Sequence, residues 1–275
     1  MKQLNFCTGL PRTGSTVLMN ILQQHPEIFT TSTDPFPRIA HKGLLVDSRY
    51  SEPFQAMSTK QADDAVYGMI MGATQGWYEG LTKKPTVVSK SRNWAGLHHL
   101  YPSSQIIVTV RDLRDIAESF ERINEGIKAL HSYADDLKMY ASMTEPQKYH
   151  YHFNSGTALG GSFDELRTFM DIFQRSENKV KFVRYEDFIR NPVLVLDSIT
   201  KFLNCGKYEY DLNNIEQNAV FEHDNAYFRE KTSHRTETKF KPWSEPKRTL
   251  SPDFHNSVVE NHKWYYEAFY PEIIS

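Results

Sequence analysis

The chain has 275 residues, 39% of them hydrophobic and 13% aromatic, which is enough for one packed core of α/β-domain size. A net charge of −2 excludes the global basic field of a nucleic-acid-binding protein, so any anion site must be local. Two cysteines, Cys7 and Cys205, exclude a disulfide scaffold, and no apolar run reaches membrane-span length.

The first apolar run is too short for a secretory signal, so the expected location is cytoplasmic. It reads as a buried strand over residues 4–8, with Cys7 as a small apolar residue inside it. A glycine turn follows, then a helix over 15–24 with Val17, Leu18, Ile21 and Leu22 at helical spacing and Pro26 beyond its end. Residues 30–60 are rich in Ser, Thr, Pro and Asp and read as irregular, and 61–81 as a helix carrying Val66, Met69, Ile70, Trp77 and Leu81. Next come a short strand at 85–91, a short helix over "WAGLHHLYP", and the strongest strand, "QIIVTV" at 105–110, whose β-branched run predicts burial on both faces. A helix over 113–129, a mostly helical stretch over 132–179, a strand at 180–184 and a helix opened by Pro192 follow. Residues 206–251 are polar and irregular, and a last helix covers 252–269. Strands alternating with helices predict a three-layer α/β fold, a central parallel sheet with helices on both faces. No boundary divides the chain, so residues 1–275 read as a single domain.

Gly9 and Gly14 have the spacing of a phosphate-binding loop, G-x-x-x-x-G-K-[ST], and Thr16 fills its last position. Ser15 stands where the lysine belongs. A strand–turn–helix unit of this kind aims backbone N–H groups and a helix dipole at an anion. Thr13, Ser15 and Thr16 add hydroxyls, and Arg12 supplies a cation with a bidentate fork. The loop lysine is what reaches the terminal phosphates of a nucleoside triphosphate, so its absence argues against ATP or GTP hydrolysis. A second anion site is predicted at the C-terminal end of the best strand, where open α/β sheets bind ligands. Arg111 stands there and Ser119 follows eight residues later on the next helix. The alternative is a structural ion pair between Arg111 and Asp112.

"GLPRTGSTVLMNILQQHPEI" resembles the 5′-phosphosulfate loop of sulfotransferases, and "VTVRDLRDIAESF" resembles their 3′-phosphate motif. "VRYEDFIRNPVLVLDSITKFL" is similar to the tyrosine-bearing segment that follows in the same family. Among its branches the tyrosylprotein sulfotransferases are most similar in texture, through Pro-Arg-x-Gly in the loop, "HPEI", and a lysine in the position of "VVSKSRN". The resemblance implies 3′-phosphoadenosine 5′-phosphosulfate (PAPS) as donor and 3′,5′-ADP as product, with no metal. It implies Pro11, Arg12, Thr13, Gly14, Ser15 and Thr16 around the 5′ end, Arg111 and Ser119 at the 3′-phosphate, and Tyr185 against the nucleotide. It implies Arg12 and Lys90 as catalytic cations.

The general base is where this chain departs from that branch, which carries a glutamate after "HPE". Here the sequence is "HPEIFTTSTDPFPR", and the aligned positions fall near Thr33, with Asp34 beside it as the substitute. An Asp-Pro turn starter explains Asp34 equally well. His41, His98 and His99 are the other candidate bases. The expected acceptor is a hydroxyl, of a peptide tyrosine, a small molecule or a carbohydrate. Arg38, Lys42 and Arg49 offer a basic rim for an acidic peptide, and Lys231, Arg235, Lys239 and Lys241 a basic tail. No nucleic acid, membrane or metal partner is expected, "HYH" at 150–152 having no further ligand cluster. Dimerisation is not legible. Competing readings are a nucleotide or nucleoside kinase, with Asp112 at the end of a Walker-B-like strand, and a non-catalytic PAPS-binding protein.

Overall fold

The computed structural model describes residues 2–31, 34, 52–90, 101, 103–128, 139–154, 156–157, 159–217, 237–242, 244 and 247–275. Five parallel strands form its sheet: β1 (Gln3–Gly9), β2 (Ile28–Thr30), β3 (Thr86–Lys90), β4 (Ile106–Val110) and β5 (Val180–Arg184). Their spatial order is β2-β3-β1-β4-β5, so the first strand is central. The chain works outward to one edge, returns, and crosses β1 to build the other side. Such a reversal opens a crevice at the C-terminal strand ends, the place for a ligand in this architecture.

The central strands face apolar layers on both sides, as their continuous β-branched composition requires. Phe6, Ile106, Val108 and Val110 enter one cluster, with helices α3 (Thr59–Leu81), α4 (Leu113–Lys128), α6 (Ser162–Arg175), α9 (Pro252–Asn261) and α10 (Lys263–Phe269). Cys7, Val88 and Ile107 enter the other, with α1 (Ser15–Leu22), α7 (Tyr185–Arg190) and α8 (Pro192–Phe202). Successive residues of β1 and β4 thus point to opposite faces. The remaining helices among the described residues are α2 (Glu52–Gln55), α5 (Glu145–Phe153) and α11 (Pro271–Ile274). The three-layer α/β expectation holds.

Three local expectations need correcting. Ile28–Thr30 is a strand, where only irregular chain from residue 30 was expected. Its three residues leave too little alternation to detect, and pairing with β3 makes the strand. Helix α3 begins at Thr59, two residues early, because Ser58 and Gln61 form a capping box. The final helix is broken at His262, and a short helix follows at Pro271–Ile274. The buried carboxylate of Glu118 on α4 accepts the N–H groups of Thr249 and Leu250 and the Thr249 hydroxyl, which seats this C-terminal region on the helix that also carries Ser119. The helix expected over 94–102 lies outside the described residues, apart from Tyr101.

Candidate functional site

The loop after β1 is built by backbone requirement. Gly9 has φ 129°, and a Cβ there would stand 2.2 Å from the Thr109 carbonyl oxygen on β4. Gly14 has φ 74°, and its Cβ would meet Tyr185 Cδ2 at 2.7 Å. Arg12 takes φ 63°, a conformation that side-chain-bearing residues adopt at a cost. Gly14 is the N-cap of α1 and, as a glycine, offers no side chain to cap its first N–H groups. The helix therefore presents donors and positive potential at the crevice.

Each predicted residue can now be placed. Arg12, Gly14, Ser15 and Thr16 are partly exposed. Thr13 is not available as a hydroxyl donor to a ligand: it is buried, 2.8 Å from the Leu10 carbonyl oxygen and 2.7 Å from the Thr109 hydroxyl, and it pins the loop to β4. Pro11 is buried and has no N–H, so it shapes the turn. Lys90, at the end of β3, sends Nζ to Thr16 Oγ1 at 2.7 Å. The cation missing from the phosphate loop is thus delivered to that loop from the adjacent strand.

The two arginines converge. Arg111 Nη1 donates to the Arg12 carbonyl oxygen at 3.0 Å, and Arg12 Nε donates to Ser119 Oγ at 3.1 Å. The Arg12 side chain therefore reaches the serine assigned to the second site, and the two cradles share it. The Arg111 guanidinium lies 4.2 Å over the Tyr185 ring, and its buried Nε has no hydrogen-bond partner among the described residues. Asp112 does not pair with Arg111. Its carboxylate binds Arg114 at 2.6 Å, lies 3.6 Å from Arg248, and accepts the Tyr266 hydroxyl at 2.9 Å. Burial pushes the Asp112 carboxyl up, but hydrogen bonds and charge from Arg114 outweigh it and hold the group below its ordinary value. This carboxylate is committed to the protein, which weakens the kinase reading.

Asp34 is buried, and its Oδ2 accepts from the Tyr78 hydroxyl and from Ser89 Oγ, the latter at 2.7 Å. Its backbone N–H donates to the Lys90 carbonyl oxygen at 3.1 Å, which places Asp34 beside the end of β3. Burial and the Asp34 carboxylate push the Tyr78 phenol far up, so that hydroxyl stays a donor. His41, His98, His99, Arg38, Lys42, Arg49, Lys231 and Arg235 lie outside the described residues. Lys239 and Lys241 are exposed, with Lys241 2.5 Å from Glu237. No group of three or more metal-ligating side chains occurs among the described residues. No helix among them is long and apolar enough to cross a membrane.

A family model described as "Sulfotransferase family" matches residues 6–209. The chain belongs to this family. The sulfotransferase match runs from β1 through α8 and spans the loop, Lys90, Arg111, Ser119 and Tyr185. Nodulation protein NoeE of Sinorhizobium fredii is 29% identical over 128 residues, covering 42% of this chain and 30% of that protein. The chain thus spans under a third of that relative's length. A crystal structure of a sulfotransferase from Alicyclobacillus acidocaldarius aligns at TM-score 0.50 with 16% identity, covering 96% of this chain and 92% of the other, and agrees in fold. The sulfotransferase domain of the Synechococcus PCC 7002 olefin synthase aligns at TM-score 0.45, with 18% identity and 96% of each chain covered.

The sequence does not reveal several sulfotransferase residues that shape this site. Thr109 anchors Thr13, Ser89 and Tyr78 hold Asp34, and the Tyr265 hydroxyl touches the Arg111 backbone. Thr109 and Ser89 stand in the motifs around Arg111 and Lys90, while Tyr78 and Tyr265 stand in none.

Proposed function

We propose that the chain transfers a sulfuryl group from PAPS to an acceptor hydroxyl. The observation that carries this reading is the Lys90 ammonium on Thr16, in a phosphate loop without its own lysine and joined through Arg12 to Arg111 and Ser119. The residues fit such a donor. Gly14 gives the first N–H groups of α1 no side-chain cap, the buried Arg111 Nε has no partner among the described residues, and Tyr185 packs against both Gly14 and Arg111.

Arg12, Gly14, Ser15 and Thr16 would hold the 5′ end, Arg111 and Ser119 the 3′-phosphate, and Tyr185 the nucleoside. PAPS would supply a sulfuryl group on a phosphate leaving group, with negative charge growing on the oxygens between them as transfer proceeds. Lys90 and Arg12 stabilise that charge from fixed positions, an electrostatic contribution that needs no metal. Asp34 is the proposed general base. Its carboxylate is held in place by the Tyr78 hydroxyl and Ser89 Oγ beside the end of β3, where it would take the acceptor's proton.

The acceptor class implied by the resemblance is a peptide tyrosine, and small-molecule and carbohydrate alcohols are the other arms of the test. Labelled-sulfate transfer from PAPS to those three acceptor classes tests the reading, with Arg12→Ala and Lys90→Ala as controls. Turnover lost in both variants supports it. Nucleotide binding without turnover on any acceptor would replace it with a non-catalytic PAPS-binding role. Stronger thermal protection by 5′-ADP than by 3′,5′-ADP would return the kinase reading.

A further inference from the structure

The C-terminal helix α10 lies beyond residues 6–209, yet two of its tyrosines contact Arg111 and Asp112 at the end of β4. The hydroxyl of Tyr265 donates to the Arg111 carbonyl oxygen at 2.8 Å and accepts the Arg111 N–H at 3.2 Å. One side-chain oxygen thus satisfies both backbone groups of the residue where β4 ends and its ladder bonds run out. Tyr265 is fully buried, packed against Tyr266, Phe269 and Tyr270. Burial also drives its phenol far up, so the donor persists.

The neighbouring tyrosines hold the next residue. Tyr266 donates to Asp112 Oδ1 at 2.9 Å, and Tyr270 donates to Glu186 Oε2 at 2.7 Å. The other oxygen of Glu186 accepts the Asp112 N–H at 3.2 Å. The Arg111 backbone and the Asp112 side chain are therefore held by tyrosines of α10, and the Asp112 N–H by Glu186 of α7, itself held by Tyr270. The Arg111 guanidinium reaches the Arg12 carbonyl and the Tyr185 ring from that fixed base.

We propose that Tyr265 is the positioning residue of 3′-phosphate recognition, acting through the backbone of Arg111. This rests on the donor reading above. A guanidinium recognises a phosphate through directional, paired hydrogen bonds, so a small rotation of its backbone anchor weakens it selectively. Ordinary scaffolding would weaken all nucleotide binding alike.

The test compares 3′,5′-ADP with 5′-AMP, which differ only by the 3′-phosphate, by titration calorimetry on the full chain and on Tyr265→Phe. The wild type should prefer 3′,5′-ADP. Tyr265→Phe should lose about tenfold for 3′,5′-ADP and change little for 5′-AMP. A wild type indifferent to the 3′-phosphate would sink the donor reading itself. A folded Tyr265→Phe with undiminished discrimination, or with equal losses for both ligands, would overturn the positioning role and leave the donor reading standing. Should Tyr265→Phe not fold, Tyr265→His keeps a ring and a polar nitrogen in the cavity and is read on the same two ligands. Loss confined to 3′,5′-ADP is again expected, and any other pattern overturns the proposal.

Discussion

Replacing Lys90 by alanine should damage turnover far more than product binding. The Nζ atom stands 2.7 Å from Thr16 Oγ1, at the loop position next to the one where a P-loop carries its lysine. At a partly buried site a unit charge about 4 Å from another interacts by about 4 kcal/mol at an effective dielectric of about 20. Part of that is recovered by water entering the space, so a net loss of about 3 kcal/mol is expected, roughly 100-fold in kcat. 3′,5′-ADP has no sulfuryl oxygens, so its Kd should rise only about threefold, the cost of one weakened contact to a phosphate. Lys90→Arg keeps the charge and should recover part of kcat. The assay is labelled-sulfate transfer with kcat and KM resolved, beside calorimetry with 3′,5′-ADP. A Lys90→Ala protein that keeps its kcat and loses 3′,5′-ADP affinity would refute the argument, because the ammonium would then be a ground-state anchor.

Gly14→Ala places a Cβ 2.7 Å from Tyr185 at φ 74°. It should cost roughly 1–3 kcal/mol in urea unfolding and abolish nucleotide binding, and Tyr185→Ala in the same chain should relieve part of the stability loss. Asp34→Asn preserves the shape of the group that Tyr78 and Ser89 hold, so the fold should survive. If Asp34 takes the acceptor's proton, kcat drops roughly 100-fold or more while the Kd for 3′,5′-ADP is little changed; an undiminished kcat removes it as base. His152 is buried, and burial lowers its pKa to about 4, with Glu121 opposing the shift. The unfolded chain binds a proton at this residue near pH 6.5 and the folded chain does not, so stability is lost as pH falls from about 6.5 towards 4, by up to about 1.4 kcal/mol per unit. Urea midpoints at pH 7.5, 6 and 5 should show this slope, and His152→Gln should flatten it.

The anion loop was legible because its chemistry is local: the glycine spacing, the strand before it and the helix after it lie within about twenty residues of chain. The same holds for β4 and Arg111. The position of Lys90 was not legible from spacing, since nothing in chain order says that β3 lies beside β1. The pairing of Cys7 with Lys90 decides that, and here the family resemblance supplied the residue before the sheet order explained it. The roles of Thr13 and Tyr265 lay beyond sequence reasoning for a related reason. Thr13 looked like a ligand donor because its partner Thr109 is 96 residues away, and Tyr265 meets Arg111 across 154 residues. The strand at Ile28–Thr30 was missed because three residues carry no period.

Because the loop and its ammonium sit on different strands, the chain can be divided between them. A break between α1 and β3 would leave the N–H cradle on one fragment and Lys90, Arg111 and Ser119 on the other. Neither piece would hold a complete anion site, so recovery of nucleotide affinity on mixing would report directly on reassembly of the sheet.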